Sequence, residues 1–224
     1  MATVKVVDLI ARAQAILVDS NVRWPVSELQ YWLNDSYREI VLVRPDANTQ
    51  TGTFTCAAGA RQNLTTGFSS ATRLMDVIRN VAATSDKKAV RLIDRRSLDD
   101  QRPGWYGETG SVDIQLYMFD PVIPKEFLVY PPATTSAQLE VVYASIPSAH
   151  AMSDAELVDD TDTTTINLGD SYANAILDYI LYRAYSKDAE NPQSASRAVA
   201  HYQAMQASLG AKTTSDQVAQ PGAK

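Results

Sequence analysis

The apolar residues change period twice along this 224-residue chain, from helical to alternating and back to helical. That order restricts the folds open to it more than any motif it carries. Between about Val4 and Val18, the residues Val6, Leu9, Ile10, Ala13, Ile16 and Leu17 recur at the spacing of one helix face, with Thr3 placed as N-cap. After the polar break Asp19-Ser20-Asn21, the pattern repeats in Leu29, Leu33, Tyr37, Ile40 and Val41. This second helix is entered with Pro25 in its first turn or through a Ser27/Gln30 capping box. It ends by Val43, because Arg44 precedes Pro45 and that position disfavours the α region.

Between Thr49 and Ser148 the period is two, and Gly, Pro, Asn and Asp clusters separate about seven candidate strands. They are Thr51 to Thr55, Arg61 to Leu64, Arg73 to Val81, Ala89 to Asp94, Asp113 to Phe119, Glu126 to Tyr130 and Leu139 to Ala144, the first two joined as a hairpin through Ala57-Ala58-Gly59-Ala60. Short spacing favours antiparallel pairing. A parallel pair needs a crossover of about a dozen residues, and only Arg95 to Ser111 is long enough. That stretch, with Pro103-Gly104-Trp105-Tyr106-Gly107, reads as an ordered loop carrying aromatics. The Asp- and Thr-rich segment Ser153 to Thr165 reads as an exposed connector.

Helix returns from Asp170 to Lys187, with Ala173, Ile176, Leu177, Ile180 and Ala184 on one stripe, and Asn191-Pro192 starts another. Its stripe is Ala195, Ala198, Val199, Tyr202 and Met205, and Gly210 stands where a left-handed cap closes a helix. No single-striped helix can bury its apolar face alone. The expected fold is therefore α+β: a helical bundle built from both chain ends, residues 1–46 and 166–210, with an antiparallel β-rich insertion at 47–150, an exposed connector at 151–165 and a flexible C-terminal tail at 211–224.

Composition excludes several functions. The chain has 26 acidic and 20 basic residues, a net charge of −6, so a generic phosphate-binding surface is not expected. A lone cysteine, Cys56, permits no intrachain disulfide and no multi-cysteine zinc site. Charges interrupt every apolar run, so no membrane contact is expected, and the first residues lack the cationic start and apolar run of a secretory signal.

Chemical motifs are sparse. Cys56 lies in a β context far in sequence from His150 and His201, and reads as a small buried residue. Ser85-Asp86-Lys87-Lys88 matches Ser-x-x-Lys without the partner motifs. Two histidines without ligand spacing make zinc unexpected, and Asp159-Asp160-Thr161-Asp162 lacks the glycine and glutamate of a calcium loop. No phosphate-binding glycine loop occurs, so no cofactor, metal or catalytic residue is assigned and the protein is not expected to be an enzyme. Carboxylate pairs at Asp99-Asp100, Asp35 with Glu39, and Asp188 with Glu190 leave a hydrolase as one alternative. A DNA-binding module using Arg91 to Arg102 is another, since Arg91, Arg95, Arg96 and Arg102 flank Trp105 and Tyr106. The bland reading of that cluster is salt bridges to Asp94, Asp99 and Asp100; its other use is a docking surface of Arg95, Arg96, Trp105 and Tyr106. Of eleven tyrosines, Tyr172, Tyr179 and Tyr182 lie partly off the apolar stripe of the third helix, with Arg183 beside them. Either they widen the internal core or they form a second face for a neighbouring subunit.

Several stretches together resemble the phage adaptor proteins of the tail tubular protein A-like head-tail connector group. They are Val7-Asp8-Leu9-Ile10, Trp24-Pro25 with Glu28 to Asp35, and Arg38-Glu39-Ile40-Val41 with Arg44-Pro45-Asp46. Further along, Leu74 to Asn80, Phe127 to Pro132, Asp178 to Glu190 and Ala198 to Leu209 fit the same group. The resemblance implies a structural virion protein at the head-tail interface, assembled in the host cytoplasm. Its copies would form a ring, twelvefold by that analogy, joining the portal protein to a tail or nozzle protein around the DNA exit channel. DNA would pass without sequence-specific binding. In such adaptors the C-terminal part commonly engages the portal, which places Lys212 and Gln217 among the candidate contacts.

Overall fold

The computed structural model describes residues 2–188 and 192–218, with side chains described as far as residue 210. The chain divides into two compact units, Met1–Ala47 with Pro147–Lys224, and Asn48–Ile146.

The first unit is helical: α1 (Val6–Leu17), α2 (Val26–Val43), the short α4 (Asp154–Leu157), α5 (Ala173–Lys187) and α6 (Pro192–Val218). In this unit α5 is central, packed by α1 and α2 and by α6. It therefore buries residues on most of its circumference, including Ile176, Leu177, Tyr179, Ile180 and Ala184. With them in one core lie Leu9, Ile10 and Ala13 of α1, Leu29, Leu33 and Ile40 of α2, and Ala198, Met205 and Leu209 of α6.

The turn into α2 is built by side chains. The Asp19 carboxylate accepts the backbone N–H groups of Val22, Arg23 and Trp24 at 3.1–3.2 Å. Asn21, itself left-handed at φ 65°, accepts the N–H of Val26 at 2.8 Å. Pro25 occupies the N-cap without a side-chain cap bond, so Asn21 takes the place of the expected Ser27/Gln30 box. Trp24 then pins the turn to α5, its indole N–H donating to the carbonyl of Ala184 at 3.1 Å.

Four expectations about the helical unit are corrected. Thr3 does not cap α1: Lys5 holds that position, and Thr3 bonds instead to Asp170 through its hydroxyl and N–H at 2.6 and 2.7 Å. Ser153 to Thr165 is not a bare connector, because Ser153 and Glu156 form a capping box for α4, Leu157 is 2% exposed, and Thr164 and Ile166 bond to the backbone of Val6 and Val4. Gly210 does not close α6, which runs through it to Val218. Residues 211–218 are thus helix where a flexible tail was expected, because nothing at Gly210 adopts the left-handed conformation that would end it. The Asn191 cap lies outside the described residues.

The second unit holds seven strands: β1 (Thr49–Thr55), β2 (Gly59–Asn63), β3 (Ala71–Asn80), β4 (Arg91–Leu92), β5 (Leu116–Phe119), β6 (Glu126–Ala133) and β7 (Gln138–Ser145), with α3 (Arg95–Gln101) between β4 and β5. They form two sheets, ordered β1-β7-β3 and β2-β6-β5-β4. All pairs are antiparallel except β4 with β5, whose crossover is the one stretch long enough to make it. The β1–β2 hairpin does not form. Cys56 donates its N–H to Ala137 across the bend, and the chain leaves one sheet for the other, because Phe54 and Ala60 are claimed by different cores.

Strand alternation explains those cores. On β6, Phe127 and Val129 face a core shared with Phe54 of β1, Leu74 and Val77 of β3, and Leu139 and Val141 of β7. Leu128 and Tyr130 face the opposite side, where Leu98 of α3 and Trp105 cover Met118 and Ala60. The expected loop at Arg95 to Ser111 is therefore a short helix followed by a 3-10 turn at Trp105–Gly107. It covers a sheet face that would otherwise stay wet.

Candidate functional site

The two clusters singled out from sequence lie in different units and are built differently. On α3 the Asp94 side chain accepts the Arg96 N–H at 2.8 Å and caps the helix. One turn on, Arg95 pairs with Asp99 at 3.5 Å. Asp99 also accepts the indole N–H of Trp105 at 2.8 Å. Trp105 is fully buried, stacked on Tyr106 at 3.8 Å and edge-on to Tyr130 at 6.0 Å. Arg102 donates to the Tyr130 hydroxyl at 2.6 Å, which in turn bonds Glu108 at 3.1 Å. Of the four residues predicted here, Trp105 is a core anchor, while Arg95, Arg96 and half of Tyr106 face solvent.

The fold adds neighbours that sequence spacing conceals. Arg95 and Arg96 line a cleft of about 330 Å³ with Arg61 of β2, Asp120, Glu126 and an apolar wall that includes Met118 and Leu128. Arg61 pairs with Glu126 at 3.2 Å. These residues meet only because the parallel β4–α3–β5 crossover carries α3 back over the sheet. Arg61 stood in a predicted strand without a detectable link to Arg95, and no local pattern could have joined them.

Tyr172, at the N-cap of α5, and Tyr179 within it are buried at 5% and 8% exposure. Tyr179 meets Tyr182 edge-on at 5.8 Å, and Tyr182 meets Tyr202 of α6 at 5.0 Å. The Tyr202 hydroxyl donates to Glu39 of α2 at 3.3 Å. α6 thus packs against Tyr182 on this side of α5. Burial pushes the Tyr179 hydroxyl pKa up. Of the four residues predicted here, Tyr172, Tyr179, Tyr182 and Arg183, Arg183 and part of Tyr182 reach the surface. Lys212 and Gln217 fall on the last turns of α6.

The remaining chemical candidates are engaged in structure. Cys56 is buried, and burial pushes its thiol up to about 12, far from a reactive thiolate. Of the carboxylates, Asp35 pairs with Arg38 at 2.6 Å, and Asp188 with Arg23 and the Ser194 hydroxyl; Glu190 lies outside the described residues. Among the described residues no group of three or more His, Cys, Asp or Glu side chains is arranged to hold a metal, and no helix is long and apolar enough to cross a membrane.

The aromatic side chains serve packing while the basic ones stay largely exposed, as in a structural protein that works through its surfaces. The chain belongs to the SU10 adaptor protein family, whose model matches residues 4–224. It is a phage structural adaptor, consistent with the head-tail group it resembles. No curated protein matches the chain.

Proposed function

We propose that this protein is a head-to-tail adaptor whose copies form a ring, joining the portal to the tail or nozzle around the DNA exit channel. The observation that carries the reading is the family match over residues 4–224, which takes in both units and the C-terminal turns of α6. The helix of 27 residues is about 40 Å long at 1.5 Å per residue, and its last turns are the proposed portal contact, with Lys212 and Gln217. Arg183, Tyr182, Arg95, Arg96 and Tyr106 supply exposed polar and aromatic margins of the kind enriched where subunits meet. The net charge of −6 suits a conduit through which DNA slides without being held. In the virion the protein sits at the head-tail interface.

Cosedimentation with portal rings of the same phage tests this. Full-length protein is expected to pellet with the rings in stoichiometric amount, and a chain ending at Gly210 to remain in the supernatant. Full-length protein that stays in solution across salt and concentration would overturn the reading.

A further inference from the structure

Each sheet has two edge strands, and three of the four are blunted. On β2, the register shifts between Gly59 and Arg61, Arg61 is charged, and the Gln62 side chain bonds the backbone of Ala57 and Gly59. β4 has two residues. β3 carries three register shifts and the charges of Arg73, Asp76 and Arg79. Its outer backbone is also engaged, with Leu74 donating to Pro124 and Ile78 accepting from Val90. These are the devices by which proteins prevent sheet edges from pairing.

β1 has none of them. Its sequence, Thr-Gln-Thr-Gly-Thr-Phe-Thr, contains no charge and no proline. All seven residues pair in unbroken register with β7 on one side. On the other, no backbone hydrogen bond of Thr49 to Thr55 is made among the described residues. Phe54 points into the core, while Thr49, Thr51, Thr53 and Thr55 form an exposed row on the opposite face. Gly52 lies flat beneath the Phe68 ring, 2.8 Å from where a Cβ would stand.

We propose that β1 is a docking edge for β1 of a second copy of this chain. With one bare edge per described chain, strand pairing between copies cannot run head to tail; it must be two-fold and close at two. The pattern suits that symmetry, because an antiparallel pair centred on Gly52 sets Thr49 against the partner's Thr55 and Thr51 against the partner's Thr53. Threonines opposite one another on one face make favourable cross-strand pairs. Two three-stranded sheets become one of six, and seven paired residues add roughly six to eight backbone hydrogen bonds. A ring with unlike ends has no two-fold axis of this kind, so the pair belongs to the free chain and opens when the ring assembles; the inference rests on the β unit alone.

Sedimentation equilibrium on the full chain is expected to show mass rising from one to two copies with concentration. The double variant Thr51→Lys/Thr53→Lys sets like charges opposite one another and is expected to stay monomeric with an unchanged circular dichroism spectrum, since both side chains are exposed. Register is read by disulfide trapping: Thr51→Cys mixed with Thr53→Cys should crosslink on mild oxidation, and either alone should not, because identical positions lie diagonally apart, beyond disulfide reach. A chain monomeric to millimolar concentration, a dimer indifferent to the lysines, or Thr51→Cys crosslinking as well alone as in the mixture would overturn the proposal.

Discussion

Tyr37 and His150 form a hydrogen-bonded pair in the helical unit. The Tyr37 hydroxyl accepts the Asn167 N–H at 3.0 Å and lies 2.9 Å from His150 Nε2. Burial favours the neutral imidazole and holds the His150 pKa below its usual 6.5. An unfolded chain takes up a proton on this ring near the usual value while the folded chain resists it. The associated stability is fully present above pH 6.5 and is lost as pH falls through the folded value. Urea melts of the wild type between neutral and mildly acid pH should show this loss, and His150→Gln should flatten it. None of this was legible in the sequence, where His150 followed the last predicted strand without a partner. Tyr37, by contrast, was plainly a core position from its helical spacing, and it is 1% exposed.

Among the elements, α6 separates what periodicity can say from what it cannot. The stripe through Ala198 and Met205 announced the helix, and both side chains are buried. Gly210 suggested its end because glycine commonly closes helices, yet the decision is made by backbone conformation, which a single residue type does not determine. The sign of one substitution distinguishes the two states. With Gly210 inside a helix and nothing within 4 Å of its Cβ position, Gly210→Ala should raise stability by about 0.5–1 kcal/mol. At a left-handed cap it would lower stability instead. Thermal unfolding of the full chain reads the difference. α3 was missed for another reason: its sequence Arg-Arg-Ser-Leu-Asp-Asp-Gln buries only Leu98, so there is no stripe to detect, and the Asp94 cap was the sole local sign.

For the whole molecule, two ends of one unit come together. Asn48 donates from its side-chain amide to the Ser145 carbonyl at 2.9 Å, so the β unit begins and finishes at adjacent points and encloses its own cores. Residues 48–146 expressed alone should fold, giving a sheet-type circular dichroism spectrum and a cooperative melt. The alternation of apolar periods had marked where this unit lies, but not how its strands pair: β1 joins β7, with Thr49 opposite Ala144, and no local signal specifies a partner at that separation. Function was legible mainly as resemblance, because packing residues carry it and no catalytic constellation does.

Synthesis imposes a timetable on this arrangement. α1 and α2 leave the ribosome first, but the helix they pack against, α5, begins at Ala173, after the entire β unit has been made. The sheets can close as soon as β7 emerges at Ser145, while the earliest helices still wait for their core. At roughly 5–20 residues per second, that leaves α1 and α2 without α5 through most of translation. The middle of this protein is therefore finished before its beginning.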